Sequence, residues 1–191
     1  MKTMKNLNKT KIFFLAIIAV AISSCSNDDK PVNEEELITT VRTTLVGGGQ
    51  TITLTSRDLD GDGPNLPVIT PATGSLSPNT TYNGTVTFLN ESVTPAGDIT
   101  VEVEEEGVDH QIFYQAPSTI GTFTYLDADA NGKPIGLDFT LTTGSSSTTG
   151  NLTVTLRHLP NKSAAGVASG DITNAGGSTD AAVTYPISIG N

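Results

Sequence analysis

Asp58-Leu59-Asp60-Gly61-Asp62-Gly63 sets carboxylates at positions 1, 3 and 5 of a run whose sixth residue is glycine. With that spacing a loop converges alternate side chains on one hard cation, and the glycine permits the sharp turn. A calcium loop carries a bidentate acid at its twelfth position. Here that position is Ile69, and Pro64 follows the run at once. A calcium site at Asp58, Asp60 and Asp62 therefore needs a remote acid to complete it; the alternative is an acidic surface turn. A second run, Asp127-Ala128-Asp129-Ala130-Asn131-Gly132, has Asp138 at its twelfth position and fits the spacing better. Yet it lies between two alternating stretches, Thr122-Phe123-Thr124-Tyr125 and Ile135-Gly136-Leu137-Asp138-Phe139. Asn-Gly in that setting predicts a β-hairpin, because both residues accept positive φ. Asp138 is then an outward strand residue.

A third cluster is Glu102-Val103-Glu104-Glu105-Glu106-Gly107-Val108-Asp109-His110. On a strand, Glu102, Glu104 and Glu106 share one face, which predicts a solvated acidic edge that resists pairing with other chains. The other histidine is His158. Two imidazoles with carboxylates form a donor set for zinc or a similar metal. That reading requires His110 and His158 to meet within ~5 Å, given metal–ligand bonds of ~2 Å. Catalysis has little support. The chain has no G-x-S-x-G, no H-E-x-x-H and no phosphate-cradling glycine loop. We expect a non-enzymatic protein that requires no cofactor, with Ca²⁺ as the candidate ion.

The elements that must position these residues are strands. Thr and Gly lead the composition, Val, Ile and Pro recur among them, and period-2 alternation is repeated along the chain. Candidate strands are Leu37–Val46, Gln50–Ser56, Pro67–Thr70, Thr81–Leu89, Ile99–Glu104, Gln111–Tyr114, Thr122–Leu126, Ile135–Thr142, Asn151–His158 and Ala182–Ile189. Turn residues separate them, among them Gly47-Gly48-Gly49, Pro95-Ala96-Gly97, Gly144–Gly150 and Gly176-Gly177. Many short strands with polar turns predict an all-β, antiparallel β-sandwich. Inward positions include Leu152, Val154 and Leu156 on one strand and Val183, Tyr185, Ile187 and Ile189 on the last.

The segment Leu76-Ser77-Pro78-Asn79-Thr80-Thr81-Tyr82-Asn83-Gly84-Thr85-Val86-Thr87-Phe88 resembles the leucine, proline, tyrosine and alternating-strand run of fibronectin type III domains. The resemblance implies an immunoglobulin-like sandwich with a tyrosine corner. In such a corner a buried tyrosine bonds back to upstream backbone, and Leu76 and Tyr82 would fill those roles.

The first 24 residues read as a cleaved secretory signal. Lys2, Lys5, Lys9 and Lys11 precede the apolar run Ile12–Ile22, and Ser23-Ser24 precede Cys25. The apolar run is short of the ~20 residues of a membrane-spanning helix. A cysteine at the cut resembles the bacterial lipobox, which implies that Cys25 is lipidated and becomes the first residue of the mature chain. The alternative is an ordinary signal peptide. The expected organisation is 1–24 signal, 25–35 lipidated cysteine and acidic tether, and 36–191 a single sandwich domain. Asp28-Asp29 resemble the export signal of Bacteroidota lipoproteins, implying an outer-membrane anchor that faces the periplasm or the cell surface.

Charge narrows the partners. All 20 acids follow Cys25, while four of the ten basic residues precede it. The mature chain thus sets six basic residues against twenty acids, a formal charge of −14. Such a surface repels nucleic-acid phosphates and favours divalent cations or basic partners. Self-repulsion that keeps the domain soluble explains the same charge. Expected partners are the membrane, through the lipid, and an outer-membrane receptor or other envelope protein.

Five stretches carry a wider resemblance: Glu34–Val41, Arg57–Asn65, Asn79–Gly84, His110–Gln115 and Leu156–Lys162. On them the chain is similar to small flavobacterial lipoproteins labelled "type 1 periplasmic binding fold superfamily protein". The resemblance implies an envelope lipoprotein and supplies no catalytic residues. The label's two-lobed α/β architecture needs roughly twice this length, and the strand pattern here predicts all-β.

Overall fold

Alternation becomes sheet wherever one face can be buried. In a computed structural model, which describes residues 37–60, 64–72 and 74–190, β1 (Thr40–Gly47) turns Val41, Thr43 and Leu45 inward and β2 (Gln50–Arg57) turns Ile52, Leu54 and Ser56 inward. Gly48 and Gly49, both at positive φ, close the hairpin between them. The remaining strands are β3 (Val68–Thr70), β4 (Thr81–Asn90), β5 (Gly97–Asp98), β6 (His110–Gln115), β7 (Gly121–Tyr125), β8 (Asp138–Thr143), β9 (Thr148–His158) and β10 (Ser178–Ile189). One sheet runs β3-β2-β1-β4-β8-β7, with β5 paired to β4; the other runs β10-β9-β6. All the strand pairings are antiparallel.

The two sheets form an all-β sandwich. Leu45, Leu54, Val86, Phe88, Phe139 and Leu141 from one sheet meet Ile112, Tyr114, Leu152, Val154, Leu156 and Tyr185 from the other in one core. The described residues belong to the compact unit Glu35–Asn191. The signal segment, Cys25 and the tether lie outside the described residues, as do Gly61, Asp62 and Gly63.

Between β3 and β4 the chain crosses to the second sheet. Leu76 is buried, forms a parallel bridge to Ile189, and donates its N–H to Ser188 O at 2.8 Å. The Tyr82 ring is fully buried, and its hydroxyl accepts from Ser77 N at 2.8 Å and from Gln50 Nε2 at 2.6 Å. Tyr82→Phe keeps the ring and strands the Ser77 N–H. We expect it to cost about 1–2 kcal/mol in urea unfolding; an unchanged midpoint would show that the hydroxyl is idle.

The stretch expected as a strand at Ile99–Glu104 is instead a helix, α1 (Ile99–Glu105). Asp98 caps it by accepting from Thr100 N, and Ile99 and Val103, one turn apart, are its buried residues. Thr100 Oγ1 takes the place of a strand partner on β4, accepting from Phe88 N at 3.0 Å and donating to Phe88 O at 3.3 Å. Its β-branched residues favour strand locally, but two buried positions at helical spacing and a side chain that satisfies β4 outweigh that preference. Glu102, Glu104 and Glu106 therefore do not share one strand face.

The pairing expected around Asn131-Gly132 is present, since β7 and β8 are antiparallel neighbours with Tyr125 opposite Phe139. The two-residue hairpin is not. The connection spans 126–137, and Asn131-Gly132 makes a turn at its tip, with Gly132 at φ 71°. A second excursion, 159–177, carries two short 3₁₀ turns, Val167–Ser169 and Ile172–Asn174. It lays Val167 and Ala175 over Phe113, on the outer face of the smaller sheet.

Candidate functional site

The 126–137 connection keeps its shape through two aspartates. Asp127 Oδ1 accepts from Gly136 N at 2.7 Å, and Oδ2 accepts from Leu137 N at 2.6 Å and Asp138 N at 3.1 Å. Asp129 Oδ1 accepts from Asn131 N at 2.8 Å and Lys133 N at 2.9 Å. Its Oδ2 accepts from Lys162 Nζ at 2.9 Å. The ammonium donates twice more, to Gly107 O and to Pro134 O. Its three protons thus meet three acceptors.

Burial alone raises an aspartate's pKa; here the Lys133 N–H, the Lys162 ammonium and the Asn131 N–H outweigh it and hold Asp129 below the ordinary value of 3.8. Burial pulls Lys162 below the usual lysine value, with Asp129 acting in the opposite direction. Asp127 and Asp129 of the second calcium-like run thus serve the loop's own backbone and Lys162, while the side chains of Asn131 and Asp138 do not share those bonds. The aspartate oxygens are engaged by backbone amides, and the cation of this loop is the lysine's own. Asn131 and Asp138 are exposed.

In the first acidic run Asp60 is held by a neighbouring asparagine, and Asp58 Oδ1 is buried without a hydrogen-bond partner. Asp60 Oδ2 accepts from Asn65 Nδ2 at 2.7 Å and Asn65 N at 3.2 Å. The Asn65 side-chain bond, the largest cause, holds its carboxyl below the ordinary value. Asp58 donates its backbone N–H to Thr39 O at 2.7 Å.

The two histidines do meet. His110 and His158 sit directly opposite on β6 and β9. Their rings stack with centroids 4.9 Å apart and planes 18° from parallel. Ile112 donates its N–H away from β9, to Ile135 O. Strand parity then makes His110–His158 a non-hydrogen-bonded pair, the closer of the two kinds. Both residues are buried, at 2% and 7% exposure. His110 Nδ1 is 3.2 Å from Glu106 O, and Nε2 is 3.8 Å from Asp180 Oδ2.

Burial is the largest cause that lowers His110 from its ordinary 6.5. Asp180 enters the cluster through a register shift between Thr179 and Ala181. Alternation along the strand gives no hint of it, because a bulge is what turns the side chain inward. The rings lie face to face. Among the described residues no three His, Cys, Asp or Glu side chains are disposed to hold a metal ion.

Beside α1 lies an open hollow of about 470 Å³. Thr100, Glu104 and Glu105 of α1, Asp127 and Asp129 of the 126–137 connection and Asp138 of β8 line it, together with Thr85 and the apolar Val86, Val108, Ile135 and Leu137. A smaller cleft of about 310 Å³ opens between β6 and β7, where Tyr114, Phe123 and Tyr125 line it. Glu104 and Glu105 were legible as part of an acidic edge and Asp127, Asp129 and Asp138 as a calcium-like run; that the two segments share one hollow is set by the fold.

The fold defines a two-sheet antiparallel sandwich with a hollow beside α1 that is lined in part by acids. Comparisons with protein-family models, with curated proteins and with solved structures returned no match. Among the described residues no helix is long and apolar enough to cross a membrane.

Proposed function

We propose that this chain is a lipid-anchored lipoprotein of the bacterial cell envelope whose sandwich is a non-enzymatic binding module, with the hollow beside α1 as its ligand seat. The observation that carries the reading is the hollow's construction. Its volume falls within the roughly 300–1,000 Å³ of small-ligand sites. Its walls are held before any ligand arrives, by Asp127 on three amides, by the Asp129–Lys162 pair and by Thr100 on β4. Glu104, Glu105 and Asp138 are exposed around it. Preorganised walls lower the ordering cost of binding, and carboxylates of one sign select a cationic ligand or the basic side chains of an envelope partner.

The Cys25 context supports the lipid anchor, and the Tyr82–Ser77 contact supports an immunoglobulin-like relationship. The test is calorimetry and thermal melting of the chain from Ser26 onward, stripped with chelator, against Ca²⁺, Zn²⁺, spermidine and an arginine-rich peptide. A ligand that binds the folded state raises the melting point by mass action. We expect a shift with at least one cationic ligand, lost in Glu104→Gln/Glu105→Gln. No heat and no shift with any of the four would overturn the reading.

A further inference from the structure

We propose that the cleft between β6 and β7 is a second binding site, one that takes the ring of a neutral sugar. β7 is the free edge of the larger sheet and β6 that of the smaller. Alternation along β7 turns Phe123 and Tyr125 to the inner face, where they pack beside Tyr114 of β6. Their neighbours in the core are buried, yet these two rings stay half-buried. Among the described residues they are the only phenylalanine and tyrosine side chains that reach the surface, and both line the cleft.

The rings are fixed before any ligand arrives. Tyr125 Oη donates to Ile112 O at 2.7 Å and accepts from Gln111 Nε2 at 3.4 Å, and Gln111 is itself anchored on Val167 O at 2.8 Å. Tyr114 Oη donates to Gly136 O. Its ring stacks with Phe123, centroids 5.4 Å apart and planes 14° from parallel. Aromatic surface held in this way costs little further ordering on binding. Gly170, at φ 93°, comes against Tyr125, where a Cβ would stand 3.4 Å from the hydroxyl. The glycine leaves that space open.

The lining selects the ligand's chemistry by exclusion. No charged side chain lines the cleft, in a chain with 20 acids and 10 basic residues. An anion finds no counter-charge there. A cation is drawn to the acids of the hollow beside α1, whose lining shares no residue with the cleft. A pure hydrocarbon would cover polar groups without pairing them, which costs free energy. Ser118, Thr122 and Ser169 bring hydroxyls to the lining. Ile120 O and Leu126 N bond to β8, so strand parity turns the main chain of Phe123 away from its own sheet. Ile112 N bonds to Ile135 O, so the main chain of Tyr114 likewise points away from β9. A pyranose meets both demands. Its ring C–H groups are weakly positive and lie on the negative face of an aromatic ring, while its hydroxyls donate and accept around the edge. At about 310 Å³ the cleft is at the lower end of small-ligand sites, a size for one ring rather than for a run of polypeptide.

The test is NMR titration of the isotope-labelled full chain, in a detergent without a sugar headgroup. The probes are glucose, galactose, mannose and N-acetylglucosamine, with a linear tetrasaccharide of each, raised stepwise into the tens of millimolar. We expect saturable shifts at amides 114–125 and 167–171 with at least one probe, and saturation transfer from aromatic protons to the sugar's ring protons. Equal affinity for a sugar and its tetrasaccharide marks capture of a single or terminal unit; binding of the tetrasaccharide alone marks an internal one. Phe123→Leu keeps apolar volume and removes the flat face, and should weaken binding about three- to tenfold. Ser169→Trp fills the cleft from an exposed position and should abolish sugar binding while leaving any cation response of the hollow intact. Saturation transfer on the wild-type chain needs no variant. The site is overturned by the absence of a saturable shift with every one of these sugars, by shifts confined to other residues, or by binding unchanged in Ser169→Trp. It is equally overturned if a neutral threonine-rich peptide pairs along the β7 amides and the sugars do not bind.

Discussion

Lys162→Met lowers stability by about 3 kcal/mol, at the lower end of what breaking a buried ion pair costs. The Lys162 and Asp129 side chains are 6% and 1% exposed. The variant leaves the Asp129 carboxylate buried without its ammonium, and the carbonyls of Gly107 and Pro134 without their donor. Most of the loss is this desolvation penalty, not the worth of the pair itself. Asp129→Asn/Lys162→Met should therefore be more stable than Lys162→Met alone, because the neutral amide needs no counter-charge. Urea unfolding of the three proteins decides it. A single variant within 1 kcal/mol of wild type, on the scale of an exposed pair, would show that water reaches the ammonium.

The second large effect concerns Phe139. Its ring centroid is 4.0 Å from that of Tyr114 and 6.0 Å from that of Phe123. It lies over Gly84 on the neighbouring strand, where a Cβ would come within 2.2 Å of the ring. The glycine is thus the space the ring fills. Phe139→Ala should cost about 3–5 kcal/mol through lost burial and the cavity left behind. Gly84→Ala should cost roughly 1–3 kcal/mol by overpacking. The two act on one volume, so the double variant should lose less than the sum of the singles. Thermal melts that give a strictly additive double would show that Gly84 and Phe139 are energetically independent.

Much of the fold was legible because strand formation here is a local matter. Val41, Thr43 and Leu45, or Leu152, Val154 and Leu156, announce a buried face at period two, and the turn residues between runs announce the breaks. Ile99–Glu105 broke the pattern for a reason outside its own residues. Ile99, Val101 and Val103 suit a strand, yet the space beside β4 accepts a helix that buries Ile99 and Val103 and lets Thr100 satisfy Phe88. Asn131-Gly132 did mark a turn and β7 did pair with β8. The extra length between them follows from Asp127 gathering the amides of Gly136, Leu137 and Asp138.

The candidate sites were less legible, since acids at calcium-like spacing look alike whether they await an ion or serve their own backbone. Asp127 and Asp129 serve the backbone and Lys162. Nothing near residue 127 signals a lysine 33 positions beyond Asp129. Likewise, His110 and His158 were visible as two of a kind, but their stacking rests on the β6–β9 register, and Asp180 joins them through a bulge.

The sequence by itself determined the all-β class, the positions of most strands and turns, and the strongly acidic surface. Each is a property of neighbouring residues or of composition. Only the tertiary structure decided which acids are occupied, that α1 is a helix, that a hollow stands beside it, and that two histidines face each other across a strand pair. Those outcomes are set by contacts between residues tens of positions apart, which alternation and spacing do not encode.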